Sequence, residues 1–267
     1  MSPARRNAAG GRPPLLIALL AGIAAAFFVL PLVGLLLRAP WGNLIEQLGD
    51  PIVRSALQLS LVASLSATAL SIVFGLPLAW VLARGDFRGR ALLRGVTTLP
   101  LVLPPVVGGV ALLLVLGRIG LVGRWLNELF EVTLFGTPAA VVIAETFVAM
   151  PFLVLTLEAG LRSLDARYED AAATLGAGRW TVFRRITLPL LAPSLGAGAV
   201  LAWARAIGEF GATITFAGNL PGRTQTIPIA VYIQLQRRLD GAIVLSLVLV
   251  VVALVILVGL RDRWLRM

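Results

Sequence analysis

Tyr168 to Pro193 reads YEDAAATLGAGRWTVFRRITLPLLAP, a polar island between two long hydrophobic runs. Glu169 to Leu175 is Ala-rich and free of Gly and Pro, which predicts a short helix. Ser163 or Asp165 is placed to cap its start, and Gly176 with Gly178 to end it, because Gly tolerates the left-handed conformation of a helix stop. A second helix is expected from Arg179 to about Thr187, stopped by Pro189. Two short helices about a small-residue turn make a compact knob. Its alanines let another surface approach closely, and Arg179, Arg184 and Arg185 rim it with charge. By spacing alone the same stretch also reads as an amphipathic helix lying on lipid headgroups.

The flanking sequence decides what the knob is attached to. Of 267 residues, 58% are hydrophobic and only 13% charged, the balance of a membrane protein. Six apolar runs qualify as spans: Pro14–Leu37, Ser55–Ala83, Gly95–Gly117, Pro138–Leu161, Pro193–Ala217 and Gly241–Leu260. At ~1.5 Å per residue each reaches across a hydrocarbon core of about 30 Å. Little chain remains outside them, so an all-α polytopic membrane domain is expected. The first run follows Arg5, Arg6 and Arg12, but it is too long for a signal-peptide core and lacks a small-x-small cleavage site, so it reads as a retained helix.

Charge orients the bundle. Fifteen of the 23 arginines fall in the N-terminus, the loop Arg84–Arg94, the knob loop and the C-terminus, and seven in the remaining loops. The positive-inside rule puts both termini and the knob in the cytoplasm. The net charge of +10 then implies contact with anionic lipid rather than nucleic acid. Trp41, Trp80, Trp125 and Trp264 fall near the expected interfaces as anchors.

Cys, His and Lys are absent. Their absence removes disulfides, thiolate and imidazole metal sites, and Ser-His chemistry. Without Lys there is no P-loop, so ATP hydrolysis, if used, must come from another subunit. No cofactor is expected in this chain. Four ionisable residues lie inside the spans: Glu145, Glu158, Arg205 and Glu209. A charge at a helix centre costs roughly 2.5–3.5 kcal/mol, so each should face protein or a wet cavity. Arg205 and Glu209 are spaced to pair on one helix face, either as a structural tie or as part of an anion route. Glu158 reads as interfacial. Pro and Gly interrupt several spans, notably at Pro100, Pro104, Pro105, Gly108 and Gly109. That cluster is either an irregular wall of a pathway or a site of close helix packing. Near the outer end of the fifth span Thr213 and Thr215 offer hydroxyls, Asn219 and Pro221-Gly222 are expected to make a turn, and Arg223 to Thr226 to present donors outside the membrane. A short apolar helix from Ile227 to about Leu235 is expected along the interface.

The island resembles the cytoplasmic coupling loop of permease subunits in binding-protein-dependent ABC importers. The family pattern is Glu-Ala-Ala, three residues, Gly, nine residues, Ile, one residue, Leu-Pro. Asp170-Ala171-Ala172, Gly176, Ile186 and Leu188-Pro189 keep every spacing. Asp170 stands where the pattern has Glu, with Glu169 directly before it. Gly208 to Tyr232, GEFGATITFAGNLPGRTQTIPIAVY, resembles the fifth helix and following external loop of molybdate permeases, and sulfate permeases share its Gly-Asn-x-Pro-Gly-x-Thr-Gln-Thr portion. The segment around Pro104 is similar to the matching helix in both groups.

The resemblance implies a six-helix type I ABC importer permease working as a homodimer. It also implies two copies of a separate ATPase and one external molybdate-binding protein, with tungstate or sulfate as the alternative cargo. Residues 1–54 would form a tail, first helix and external loop, and 55–260 the permease core. Residues 162–193 would be the coupling loop and 261–267 a cytoplasmic tail. The residues assigned to coupling are Glu169, Asp170, Ala171, Ala172, Gly176, Ile186, Leu188 and Pro189. Those assigned to the pathway are Pro104, Pro105, Gly108, Arg205, Glu209, Thr213, Thr215 and Asn219. Two rivals fare worse. An intramembrane hydrolase built on Glu145 and Glu209 lacks His, Cys and a paired-acid motif. An ion-driven carrier would leave the coupling loop unexplained and shows no inverted second half.

Overall fold

The computed structural model describes residues 14–264, with side chains through Val255. Arg5, Arg6, Arg12 and Arg266, used above for orientation, lie outside the described residues. The helices in chain order are α1 Leu15–Leu37, α2 Leu44–Leu48, α3 Pro51–Arg84, α4 Arg90–Val102, α5 Pro105–Leu116, α6 Gly123–Phe130 and α7 Pro138–Ser163. They continue as α8 Arg167–Thr174, α9 Arg179–Val182, a π turn Phe183–Thr187, α10 Leu188–Ile207, α11 Gly211–Phe216, α12 Ile227–Arg237 and α13 Leu239–Trp264. Among the described residues there is no strand.

Helices α3, α7 and α10 make the centre. Pro51 and Pro138 start α3 and α7, where a missing N–H costs nothing, and Asp50 and Thr137 cap them through Ile52 N–H (2.7 Å) and Ala140 N–H (3.3 Å). The buried stripe of α3 is mostly small: Ala56, Ser60, Ala63, Ser64, Ala67, Thr68, Ser71, Gly75 and Ala79. Lipid offers no hydrophobic drive for helix association, so close approach at small residues has to supply the packing. A Cβ on Gly75 would sit 2.8 Å from Leu153, and one on Gly160 would collide with Ser194. Leu82, Leu153, Leu157, Leu161 and Leu191 fill the resulting core. Two hydroxyls of α3 add cross-links: Ser64 Oγ accepts from Trp203 Nε1 at 2.9 Å, and Ser60 Oγ from Ile227 N–H at 2.8 Å.

The spans differ from expectation in three places. Helices α1, α3, α7 and the continuous run Arg179–Ile207 are each long and apolar enough to cross a membrane, and α13 runs for 26 residues. The expected span Gly95–Gly117 is instead broken into α4 and α5, which meet at 119°. Neither piece alone covers about 30 Å. Consecutive prolines cause the break: Leu103 and Pro104 both precede a proline and take extended ψ values of 137° and 131°. Second, Pro189 does not stop a helix. The π turn carries the chain through it, with Leu188 N–H bonded to Phe183 O five residues back. The wider turn relieves the clash of the proline ring with the preceding carbonyl. Third, the same helix ends early, at Ile207, and α11 follows after a break at Gly208–Phe210.

Helix α12 packs on the bundle through one face and leaves Tyr232 and Leu235 of the other exposed. Ile227, Ile229 and Ala230 are buried, and it packs on Ala56 of α3 and Leu245 of α13. Helix α1, by contrast, buries no residue and meets the bundle near its end, where Leu35 touches the cluster of Ala39, Ile243 and Leu247.

Candidate functional site

The knob forms at the end of the bundle where α3 and α7 finish and α10 begins. Asp165 Oδ1 accepts Arg167 N–H at 3.0 Å and caps α8, whereas the Ser163 hydroxyl turns back to Gly160 O. Gly176 ends α8 with φ +81°, and Ala177 N–H returns to Ala172 O at 3.0 Å. Nothing lies within 4 Å of a Cβ built at Gly176, so backbone conformation, not crowding, asks for glycine there. Asp170 and Ala171 are exposed and Ala172 is half-buried. Leu175 is 89% and Trp180 70% exposed, large apolar surface on an otherwise polar projection. Ile186 and Leu188 are half-buried and Pro189 is exposed.

Glu169 faces inward. Its Oε1 accepts from Thr187 Oγ1 at 2.8 Å and lies 3.5 Å from Arg84 Nη2. An apolar cavity of about 940 Å³ opens between α3 and the knob, with Ile72, Leu76 and Trp80 on one wall and Ala173, Trp180 and Phe183 on the other. Trp80 meets Phe183 edge-on at 5.1 Å. Beside the knob, Glu158 takes hydrogen bonds from Arg94 Nε (3.0 Å) and Arg162 Nη2 (2.7 Å), while Arg90 and Arg94 also donate to Leu82 O. Glu158 is therefore a junction of α4 and α7 rather than an isolated interfacial charge.

Inside the bundle, Arg205 Nη1 pairs with Glu209 Oε2 at 2.6 Å, and Glu209 Oε1 accepts Ala212 N–H at 2.8 Å. Both carboxylate oxygens of the 1% exposed Glu209 are thus occupied. Glu145 is equally buried and its Oε2 has no partner, nor has the Thr213 hydroxyl. Pro104 is exposed at the α4–α5 break, and Pro105 packs on Gly211. Gly108 and Gly109 give α5 its closest contacts: a Cβ on the first would be 2.8 Å from Phe147, and one on the second 2.8 Å from Ala212 O and Thr215 Cβ. The cluster is at once a backbone break and a packing seam. Thr215 donates to Gly211 O, so its hydroxyl serves its own helix.

The loop after α11 is turned inward. Asn219 Oδ1 accepts from Gln225 Nε2 at 2.8 Å, Thr224 Oγ1 accepts from Leu220 N–H at 2.9 Å, and Thr224, Gln225 and Thr226 are buried. Of the donors expected outside, Arg223 alone is exposed. Thr224 and Gln225 serve the loop itself, which Gly218 (φ +81°) and Gly222 (φ +73°) fold tightly, while the buried Thr226 hydroxyl has no partner. Arg84, Arg94, Ser60 and Thr187 were not among the expected functional residues. Arg94 and Glu158 lie 64 residues apart, beyond any local pattern.

Residues 71–266, which include the knob, match the family described as "Binding-protein-dependent transport system inner membrane component". The chain belongs to this family. It is 47% identical over 244 residues to the molybdenum transport system permease protein ModB of Mycobacterium bovis, covering 91% of each chain. It is 44% identical to the protein of that name from Escherichia coli K12, covering 79% of this chain and 92% of the relative. The sulfate transport system permease protein CysW of Synechocystis is 41% identical over 82% and 80%. In three dimensions the permease matches a chain of a bacterial ABC transporter involved in alginate import, with a TM-score of 0.72 at 20% identity over 95% of each chain. At that identity the likeness concerns the fold: this chain has the all-α architecture of an ABC importer permease.

Proposed function

We propose that the chain is the membrane-spanning subunit of an ATP-driven importer for molybdate. It would work as a homodimer with two copies of a separate ATPase and an external molybdate-binding protein, both termini and the knob facing the cytoplasm of a bacterial inner membrane. The observation that carries the transport reading is the knob itself: an exposed two-helix projection holding Asp170, Ala171 and Gly176 on its surface, with Ala172 half-buried beside them, rooted by Ile186 and Leu188 in a helix that continues into the bundle. A partner that moves the knob moves α10, and α10 ends at the Arg205–Glu209 pair. The dimer would alternate between outward and inward access as the ATPase pair closes and opens. The chain would hydrolyse nothing itself, since it lacks the Lys a P-loop requires.

The cargo rests on the stretch Gly208 to Tyr232 and on relatives named for molybdenum, the Mycobacterium protein exceeding the sulfate permease in both identity and coverage. Proteoliposomes containing this chain, its ATPase and the binding protein provide the test. ATP-dependent uptake of radiolabelled molybdate that stops when either partner is omitted is expected. Uptake of sulfate but not molybdate with the native binding protein would assign the chain to the sulfate branch. Uptake without any ATPase would overturn the importer reading.

A further inference from the structure

Glu169 stands one position before the carboxylate that the motif spacing singles out, and it behaves differently. Asp170 is exposed, whereas Glu169 joins two separate bodies: Arg84, which ends α3, and Thr187, which closes the π turn leading into α10. The behaviour of Thr187 is informative. Thr68, Thr97, Thr98, Thr146, Thr156 and Thr215 each turn the hydroxyl back to a carbonyl four residues earlier in their own helix. Thr187 is fully buried yet reaches 18 residues back to Glu169. The π turn takes the chain out of the ordinary four-residue ladder at this point, with Leu188 N–H bonded to Phe183 O. Such turns recur at functional sites.

Little else fastens the knob to α3. The cavity of about 940 Å³ separates them, and the Trp80–Phe183 edge contact closes one side. The knob therefore has room to move, and Glu169 is placed to make the movement felt elsewhere.

We propose that Glu169 is a positioning residue, a clasp through which displacement of the knob is passed to α10 by way of Thr187 and to α3 by way of Arg84. The proposal rests on the coupling reading given above. Without the clasp the knob still docks its partner, but α8 swings into the cavity, the push reaches α10 through the chain alone and no longer reaches α3, and part of the ATP hydrolysis is spent without moving the bundle.

The test uses the complete transporter in proteoliposomes, with molybdate moved per ATP hydrolysed as the readout. Thr187→Val keeps the shape and removes the hydroxyl, Thr187→Ser keeps the hydroxyl, and Glu169→Gln keeps an acceptor without the charge for Arg84. Thr187→Val is expected to lower the ratio about fivefold, within the range of coupling changes made by residues that touch neither ligand. Copurification of the ATPase and hydrolysis stimulated by the binding protein should persist, and Thr187→Ser should recover the wild-type ratio. The double variant Thr187→Val/Glu169→Gln should be no worse than the lower single, because both act on one contact. The chain has no native Cys, so spin labels at Val73→Cys and Ala173→Cys, which line the same cavity, report the knob's position directly. Their distance distribution should broaden with Thr187→Val and narrow again with Thr187→Ser. An unchanged ratio in Thr187→Val, or losses that multiply in the double, overturns the clasp. So does failure of both Thr187→Val and Glu169→Gln to form the complex, which would make the contact purely structural. Failure of the coupling reading looks different: the wild-type chain would not retain the ATPase, and Gly176→Asp would leave uptake intact.

Discussion

Arg205 and Glu209 meet as a pair in a setting where neither is dispensable alone. Glu209 is buried, with one oxygen on Arg205 and the other on Ala212 N–H, so Arg205→Ala strands a carboxylate among apolar helices. Breaking a buried pair from one side costs about 3–5 kcal/mol, whereas removing both charges costs far less. In the double variant Arg205→Ala/Glu209→Gln the amide oxygen still accepts from Ala212. Melting in detergent should therefore fall further for Arg205→Ala than for the double. Additive losses would mean that the two residues are energetically independent despite their contact. This pair was legible from four-residue spacing. The Glu169–Thr187 and Arg94–Glu158 contacts were not, since their partners stand 18 and 64 residues apart and meet only once the chain has folded.

The seam between α5 and α11 tests how a broken segment is held. Gly109 lets α5 lie against the backbone of α11, and any Cβ there would come within 2.8 Å of Ala212 O. Gly109→Val should destabilise the protein by about 1–3 kcal/mol, the usual cost of forcing atoms into a filled interior. A lowered melting temperature with the knob's partner still bound would place the damage at the seam; no change in melting would show that α5 and α11 part easily. Gly176 makes the contrasting case, because the space around it is empty within the subunit. Gly176→Asp costs the fold only the left-handed backbone, roughly 1–2 kcal/mol and less for a residue type that visits it. Loss of uptake with normal membrane insertion would then report on the partner's groove, and normal uptake would sink the coupling assignment. The knob was readable because capping, a glycine stop and fixed spacing are all local. The 119° bend between α4 and α5 was only half readable: the prolines announce irregular backbone, but its angle depends on Pro105 and Gly109 finding α11. Pro189 misled for a similar reason, as a π turn upstream can absorb a proline that would otherwise end a helix. The inward turn of Thr224, Gln225 and Thr226 was missed because polar residues in a loop look alike whether they face solvent or the loop's own interior.

Taken whole, the molecule is sparing with positive charge where a dianion would have to pass. Arg205 is the one arginine in the expected spans, and Glu209 neutralises it at 2.6 Å. The polar groups assigned to the route are largely spoken for: Thr215 bonds its own helix and Asn219 bonds Gln225, leaving Thr213 with an unpartnered hydroxyl. A deep anion well would in any case retard release, since passage requires binding weak enough to leave. Selection among tetrahedral dianions should therefore be made mainly by the external binding protein, with the permease accepting what is delivered. Supplying this chain and its ATPase with a sulfate-binding protein able to dock should give ATP-dependent sulfate uptake in vesicles. The measurement must show docking and stimulated hydrolysis alongside labelled sulfate inside. If both occur and sulfate stays out, the permease carries its own filter. In that event Arg205→Gln/Glu209→Gln, which removes the paired charges and keeps their hydrogen-bonding shape, would be the variant that locates it.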